Sequence, residues 1–438
     1  MVDHFLNVAA IFPHDQLIAG CIILHIFFAE LQKYGKALNY PTHALYETGF
    51  NVALIPSKDM RIVVNTRFAN YGYVEGFGRF IHEVGSRMVA THPEDQYLFV
   101  HDRPLLWDEP VIPNLERFTL GPPARHPLLW KYWYDHRIPS FLRRQTADVF
   151  FSPDGICSLH TSVPQVLAIH DLAFLHYPVL MPRIQQWFYA HYTPLFIRKA
   201  SKIITVSEFS RQDILRHYPF ARGKVEVVHN AADPSFKPLS WEERCSWKDG
   251  FTEGKEYFLC VGSIHPRKNL INLLKAFSRF KKRQRSNMLL VIAGRMAWHN
   301  DEFTNALSTF KYRHDVKLTG YVPAASLNKM MASAYALVYP SLWEGFGIPV
   351  LEAMQSGVPV LCSGNTSMPE VAGDAALYFD PLQPEEMGMQ LERVFKDEPG
   401  RNIMIQRGLE RARAFDWDKS AQSIREILGE AARGPINS

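Results

Sequence analysis

The chain has few cysteines, no long apolar run and no strong net charge. Its five cysteines are Cys21, Cys157, Cys245, Cys260 and Cys362; they are scattered, odd in number and without metal-ligand spacing. That argues against a disulfide framework or a zinc site and predicts reduced, mostly buried thiols in a cytoplasmic protein. The apolar stretch from Leu17 to Ala29 is too short for a membrane span, and His25 interrupts it. Lys and Arg are absent before it, so it is a poor signal peptide. A net charge of +4 does not argue for nucleic acid, although a basic cleft or a basic face near anionic lipid stays open.

What is present is an ordinary globular composition, 47% hydrophobic and 21% charged over 438 residues, enough for two or three domains. Residues 1–59 fit poorly with the rest of the chain. Met60 opens the first clear strand and reads as the natural start, with 1–59 as an appended, dispensable leader. The rival reading is a real membrane-facing or partner-binding extension.

From Met60 strands and helices alternate. Strands are predicted at 61–66, 97–100, 149–152, 166–169, 202–207 and 225–228, and helices from Arg79 and over 183–199. Residues 103–147 read as loops plus an amphipathic helix carrying Trp130, Trp133, Tyr134 and Ile138. Those aromatics pack the domain by default, with contact to a lipid-linked acceptor as the alternative. Residues 234–255 are polar and carry Pro234, Pro238, Gly250 and Gly254, the best linker candidate. A second array comes next, with strands at 257–262, 288–294, 316–318 and 336–340. The alternation predicts two doubly wound α/β domains, 60–240 and 255–415; the resemblance described below implies that the first binds the acceptor and the second the nucleotide sugar.

The segment Ser341-Leu342-Trp343-Glu344-Gly345-Phe346-Gly347-Ile348-Pro349 joins a buried strand to a helix with proline near its first turn. Helix N-termini at strand ends bind anions, because free amides and the helix dipole face outward. Glu344 and Glu352 flank the turn, and acids beside an anion site suit hydroxyl groups. Gly262-Ser263-Ile264-His265-Pro266-Arg267-Lys268 ends another strand. Arg267 and Lys268 sit near a helix N-terminus, where each cation costs about 0.3–1 kcal/mol. Something anionic is therefore expected to compensate, and a diphosphate fits. The Gly-rich loop 70–78, with Gly76 and Gly78, also lies between strand and helix. It is not a G-x-G-x-x-G, and no acid stands where a nicotinamide cofactor needs one. No D-x-D-like acidic pair is placed for a metal.

The frame P-S-x-x-E-G-F-G-x-P-x-x-E-A-M resembles the retaining glycosyltransferase family 4, over roughly 60–438. The resemblance implies a GT-B fold of two Rossmann-like domains facing a cleft, with a helix over 416–438 crossing back to the first. It implies transfer of a hexose, with mannose as the donor guess, from a nucleotide-diphosphate sugar to a saccharide or lipid-linked acceptor. It implies that Glu352 holds ribose hydroxyls, and that Glu344 touches the donor sugar with His170 beneath it. Backbone at Gly345, Phe346, Gly347 and Ile348 meets sugar and phosphate. Arg267 and Lys268 meet the diphosphate, while Gly320 and Tyr321 lie along the base. Gly76, Gly78 and Asp171 face the cleft on the acceptor side, where Asp171 either orients His170 or caps the next turn. Many members carry Arg where this chain has Ser263, so one phosphate contact is expected to shift, with Arg295 as a substitute. No cofactor and no metal are expected. Other readings are a GT-B epimerase or phosphorylase, or a non-catalytic binding homologue.

Overall fold

The computed structural model describes residues 59–70, 76–104, 111–296 and 301–434. The expected leader, Cys21 and most of the glycine-rich loop lie outside the described residues. Two all-parallel sheets organise the rest.

The first sheet holds β1 (Arg61–Asn65), β2 (Gln96–His101), β3 (Leu115–Thr119), β4 (Val149–Ser152), β5 (Gln165–Ala168), β6 (Lys202–Thr205) and β7 (Val225–Val227), in the order β3-β2-β1-β4-β5-β6-β7. The second holds β8 (Tyr257–Val261), β9 (Leu289–Ala293), β10 (Val316–Gly320), β11 (Ala336–Tyr339), β12 (Val360–Ser363) and β13 (Ala376–Phe379), in the order β10-β9-β8-β11-β12-β13. Both orders are those of doubly wound folds, and in each the direction of winding reverses beside the first strand. The reversal lies between β1 and β4 in one sheet and between β8 and β11 in the other. Ligands of such sheets bind at the carboxyl ends of those strands.

Central strands are continuous apolar runs because helices cover both faces. Every residue of β4, β8 and β11 is buried. Edge strands are different. β3, with sequence LERFT, keeps one buried residue, and β10 keeps none. β3 therefore falls in a region that composition marks as loop.

Helices relevant to the site are α1 (Gly76–Thr91), α2 (Pro127–Tyr132), α3 (Arg183–Lys199), α4 (Glu208–His217), α5 (Trp241–Thr252), α6 (Leu270–Gln284), α7 (Ile348–Gln355), α8 (Pro384–Lys396) and α9 (Trp417–Arg433). Two differ from expectation. α1 starts at Gly76 rather than at Arg79, which places Arg79 inside its first turn. The expected linker contains α5, begun by a capping box in which the Ser240 hydroxyl accepts from the Glu243 amide and the Glu243 carboxylate accepts from the Ser240 amide.

Of the aromatics in the 127–144 region, Trp130, Trp133, Tyr134 and Phe141 are core, while Tyr132 stays exposed. Trp130 and Trp133 are buried and donate their indole N–H groups to the Ala124 and Leu120 carbonyls. α9 packs on the first sheet and on α1. Arg425 reaches the fully buried Asp95 at 3.0 Å, and Ser420 donates to the His229 carbonyl at 2.6 Å. Cys157, Cys260 and Cys362 are buried and unbridged.

Candidate active site

Two turns meet at the carboxyl ends of β8 and β11, the switch point of the second sheet. The 266–268 turn is tied to the 341–344 turn by its backbone: the Leu342 amide donates to the Arg267 carbonyl at 2.9 Å. Lys268 Nζ donates to Glu344 Oε1 at 2.6 Å and to the Tyr339 hydroxyl at 2.8 Å. Ser341 Oγ donates to the same Glu344 oxygen at 2.6 Å. Arg267 donates to the Trp343 carbonyl at 3.1 Å. Below, Ser367 Oγ donates to the Glu344 and Phe346 carbonyls, and Ser363 Oγ to the Ser341 carbonyl. The turn is thus pinned before any ligand arrives.

Close backbone approach at two positions requires glycine. A Cβ on Gly294 would lie 1.9 Å from the Gly262 carbonyl oxygen, so the ends of β8 and β9 can close up only around glycine. That closure sets Ser263 beside Arg295, whose carbonyl accepts from the Ile264 amide at 2.9 Å. Gly320 joins the same row, accepting from the Gly294 amide at 2.9 Å, with exposed Tyr321 next to it. A Cβ on Gly345 would lie 2.3 Å from the His170 carbonyl oxygen. The resemblance implies that backbone at Gly345 meets sugar and phosphate; in the structure Gly345 makes room for the backbone of the first half.

The first half meets these turns directly. His170 and Asp171 follow β5. Burial lowers the His170 pKa and so favours the neutral ring, while the Pro153 carbonyl, 3.1 Å from Nε2, favours a proton on that nitrogen. Its ring meets Phe80 edge-on at 4.9 Å. Asp171 caps the next turn by accepting from the Ala173 amide at 2.8 Å, and its other oxygen stands 3.6 Å from Arg267. Ser207 Oγ donates to the Gly345 carbonyl at 2.6 Å. His176 stacks on Trp343 at 3.7 Å. Glu370, from the second half, accepts the Glu208 and Phe209 amides and so caps α4 from across the cleft.

Glu352 is only 2% exposed and accepts from Arg79 at 2.7 Å, while Arg79 also pairs with Asp233 at 2.6 Å. The anion expected to compensate Arg267 and Lys268 is present within the chain, in Glu344 and Asp171. Phe346 is buried against His229 and Phe415, and Gly347, with φ 98°, starts α7 ahead of Ile348. Gly76 is exposed at the start of α1 and Gly78 is buried.

Arg79, Asp233, Trp343, His176 and Glu370 are absent from the sequence-based site. Arg79 carried a usable signal, because a cation in a helix's first turn invites a carboxylate partner. Among the described residues, two groupings could hold an ion, His176–Asp213–His217 and His92–Glu94–Asp95. Neither includes a residue of the 262–268 or 344–348 turns.

Comparison with known proteins assigns the family. The profile described as Glycosyltransferase Family 4 matches residues 74–236, and that described as Glycosyl transferases group 1 matches residues 242–411. The chain belongs to the family 4 glycosyltransferases. It is 28% identical to the O-antigen chain mannosyltransferase B of Escherichia coli over 82% of this chain and 97% of that one. It is 27% identical to the O-antigen chain mannosyltransferase RfbU of Salmonella typhimurium over 62% and 72%. Among solved structures, the lipopolysaccharide glycosyltransferase WaaG aligns with a TM-score of 0.68 at 17% identity, covering 84% of this chain and 99% of that one. Anabaena HepE in complex with UDP and glucose aligns with a TM-score of 0.65 at 16% identity, covering 84% and 99%. These structures establish the GT-B fold.

Proposed function

We propose that this glycosyltransferase moves a hexose, mannose, from a nucleotide-diphosphate sugar to a saccharide or lipid-linked acceptor in polysaccharide or glycolipid synthesis, with retention and without a divalent ion. The observation that carries the reading is the gathering of Arg267, Lys268 and Glu344 at the switch point, where Lys268 pairs with Glu344 and Arg267 donates to the Trp343 carbonyl, just ahead of the helix that starts at Gly347. When the bond from the anomeric carbon to the diphosphate oxygen breaks, one further negative charge appears on the leaving group. Groups fixed where charge grows lower the barrier most. Arg267 supplies a forked donor set, Lys268 a point charge and the start of α7 its amides, the work a metal ion does elsewhere.

On this reading Glu344, kept ionised, steadies positive charge on the sugar ring, and neutral His170 contacts the sugar from below. Glu352 accepts ribose hydroxyls once Arg79 yields. The acceptor attacks from the face that the diphosphate vacates. Mannose is supported by the two relatives named above. Incubation with GDP-mannose and a saccharide acceptor, followed by NMR of the new linkage, tests the reading. Retained anomeric configuration is expected; an inverted product, or no transfer from any nucleotide sugar in a panel, contradicts it.

A cytoplasmic site at the inner membrane face fits the same reading. No helix among the described residues is long and apolar enough to cross a membrane. α2 and α3 pack through Trp130, Phe188 and Tyr189, yet Leu128 and Trp187 stay 69% and 55% exposed. Residues 172–207 contain no Asp or Glu, so this face suits anionic lipid.

A further inference from the structure

Asp213 of α4 is a buried carboxylate that no Lys or Arg meets: among the described residues its ion-pair partners are two histidines. His176 Nε2 lies 3.0 and 2.9 Å from its two oxygens, and His217 Nδ1 lies 3.3 Å from Oδ1. The three residues come from two elements. Asp213 and His217 stand four positions apart on one face of α4, and His176 ends the short helix Ala173–His176. Their ligand atoms all fall within 4.8 Å of one another.

Two imidazoles and a carboxylate are a ligand set for zinc. Bonds of about 2.0–2.2 Å around a tetrahedral ion hold ligand atoms about 3.4 Å apart. The His217–Asp213 spacing is already close to that, and the His176–Asp213 spacing has to open by about half an ångström. Loading has a cost: His217 Nδ1 also stands 3.0 Å from the Asp213 carbonyl, and that hydrogen bond is given up when the nitrogen sheds its proton to bind. The His176 and His217 side chains are 25% and 32% exposed, which lets an ion enter and keep water as a fourth ligand. The ring of His176 is oriented by its stacking on Trp343, whose carbonyl accepts from Arg267. The other grouping, His92–Glu94–Asp95, is a poorer site, because Asp95 is already paired with Arg425.

We propose that His176, Asp213 and His217 form a zinc site that clamps α4 to the helix Ala173–His176 and so steadies the stack on Trp343. The inference stands on these residues and does not rest on the reading of the donor site. On that reading, transfer does not use this ion.

The test uses the full chain without a polyhistidine tag, stripped of metal by a chelator and dialysed. Calorimetric titration with zinc chloride is expected to show one equivalent bound, with the melting temperature of the loaded protein raised by at least about 2 °C. Cobalt(II) in place of zinc is expected to give the strong visible bands of a four-coordinate ion. His217→Gln, at an exposed position, should weaken zinc at least tenfold and abolish the cobalt bands. His176→Gln should do the same, and His92→Gln should change neither. Far-ultraviolet circular dichroism of the metal-free variants reports folding; if His176→Gln does not fold, His217→Gln carries the test. No equivalent bound by the native chain, zinc bound equally well by folded His217→Gln, or a loss seen in His92→Gln instead overturns the proposal.

Discussion

Glu344 and Glu352 stand on one turn and the helix that leaves it, and their surroundings push them in opposite directions. Burial works to raise the Glu344 pKa, but Lys268 and Arg267 outweigh it and hold it at about 2. Burial raises Glu352 to about 7, with Arg79 offsetting only part and Asp233 adding to the rise. Environments that separate two carboxylates in this way mark distinct roles. The signs differ too. Stability from the Glu344 contacts is present above its ordinary 4.5 and is lost as pH falls toward 2. Stability tied to protonated Glu352 is present below 4.5 and is lost as pH rises through 7. Ionised Glu352 is the better acceptor for ribose hydroxyls. Donor affinity should therefore tighten as pH rises from 6 to 8, with an inflection near 7 that Glu352→Gln abolishes. Arg79→Ala should move that inflection to higher pH; a titration by calorimetry with nucleoside diphosphate reads both, and an inflection unchanged in Glu352→Gln contradicts the assignment. Lys268→Ala should lower kcat by about 10²–10³-fold, the loss typical of removing one group that stabilises leaving-group charge. Glu344, Arg267 and Lys268 were legible because each belongs to a short local pattern at a strand end. The Arg79–Glu352 pair was not, since its partners are 273 positions apart in sequence.

Among the elements, the turn between β11 and α7 does two jobs. It starts the helix at Gly347, and through Gly345 it lies against the end of β5. Gly345→Ala should force the two halves apart, because the added Cβ meets backbone rather than a movable side chain. Overpacking of this kind costs about 1–3 kcal/mol. A lowered urea midpoint together with reduced kcat/KM is expected; an unchanged midpoint would show that the contact is not maintained in solution. Central strands such as Tyr257–Val261 were readable because burial on both faces demands continuous apolar runs. β3 was missed because an edge strand can stay polar. α5 was missed because its proline and glycine neighbours suggested a linker, although Ser240 and Glu243 had the spacing of a capping box.

For the molecule as a whole, two sheets in the same winding order set their switch points against each other, and the contacts between them are charged and aromatic rather than purely apolar. On the proposed reading such contacts exchange for ligand contacts: Glu352 trades Arg79 for a ribose, and Lys268 trades Glu344 for a phosphate. On the proposed reading, the outward faces of α2 and α3 meet the membrane. The protein should bind vesicles containing phosphatidylglycerol more tightly than phosphatidylcholine vesicles, and Leu128→Ser with Trp187→Ser should weaken that binding about tenfold; flotation assays measure both. Binding that ignores the two substitutions would place the membrane face elsewhere.

On the proposed reading, Arg267, Lys268 and the start of α7 stabilise the departing nucleoside diphosphate in place of a metal. Turnover of the nucleotide sugar after exhaustive treatment with EDTA tests it most directly. The rate should be retained in the treated enzyme. A rate abolished by EDTA and restored by magnesium or manganese would show that a divalent ion, not these residues, carries the leaving-group charge.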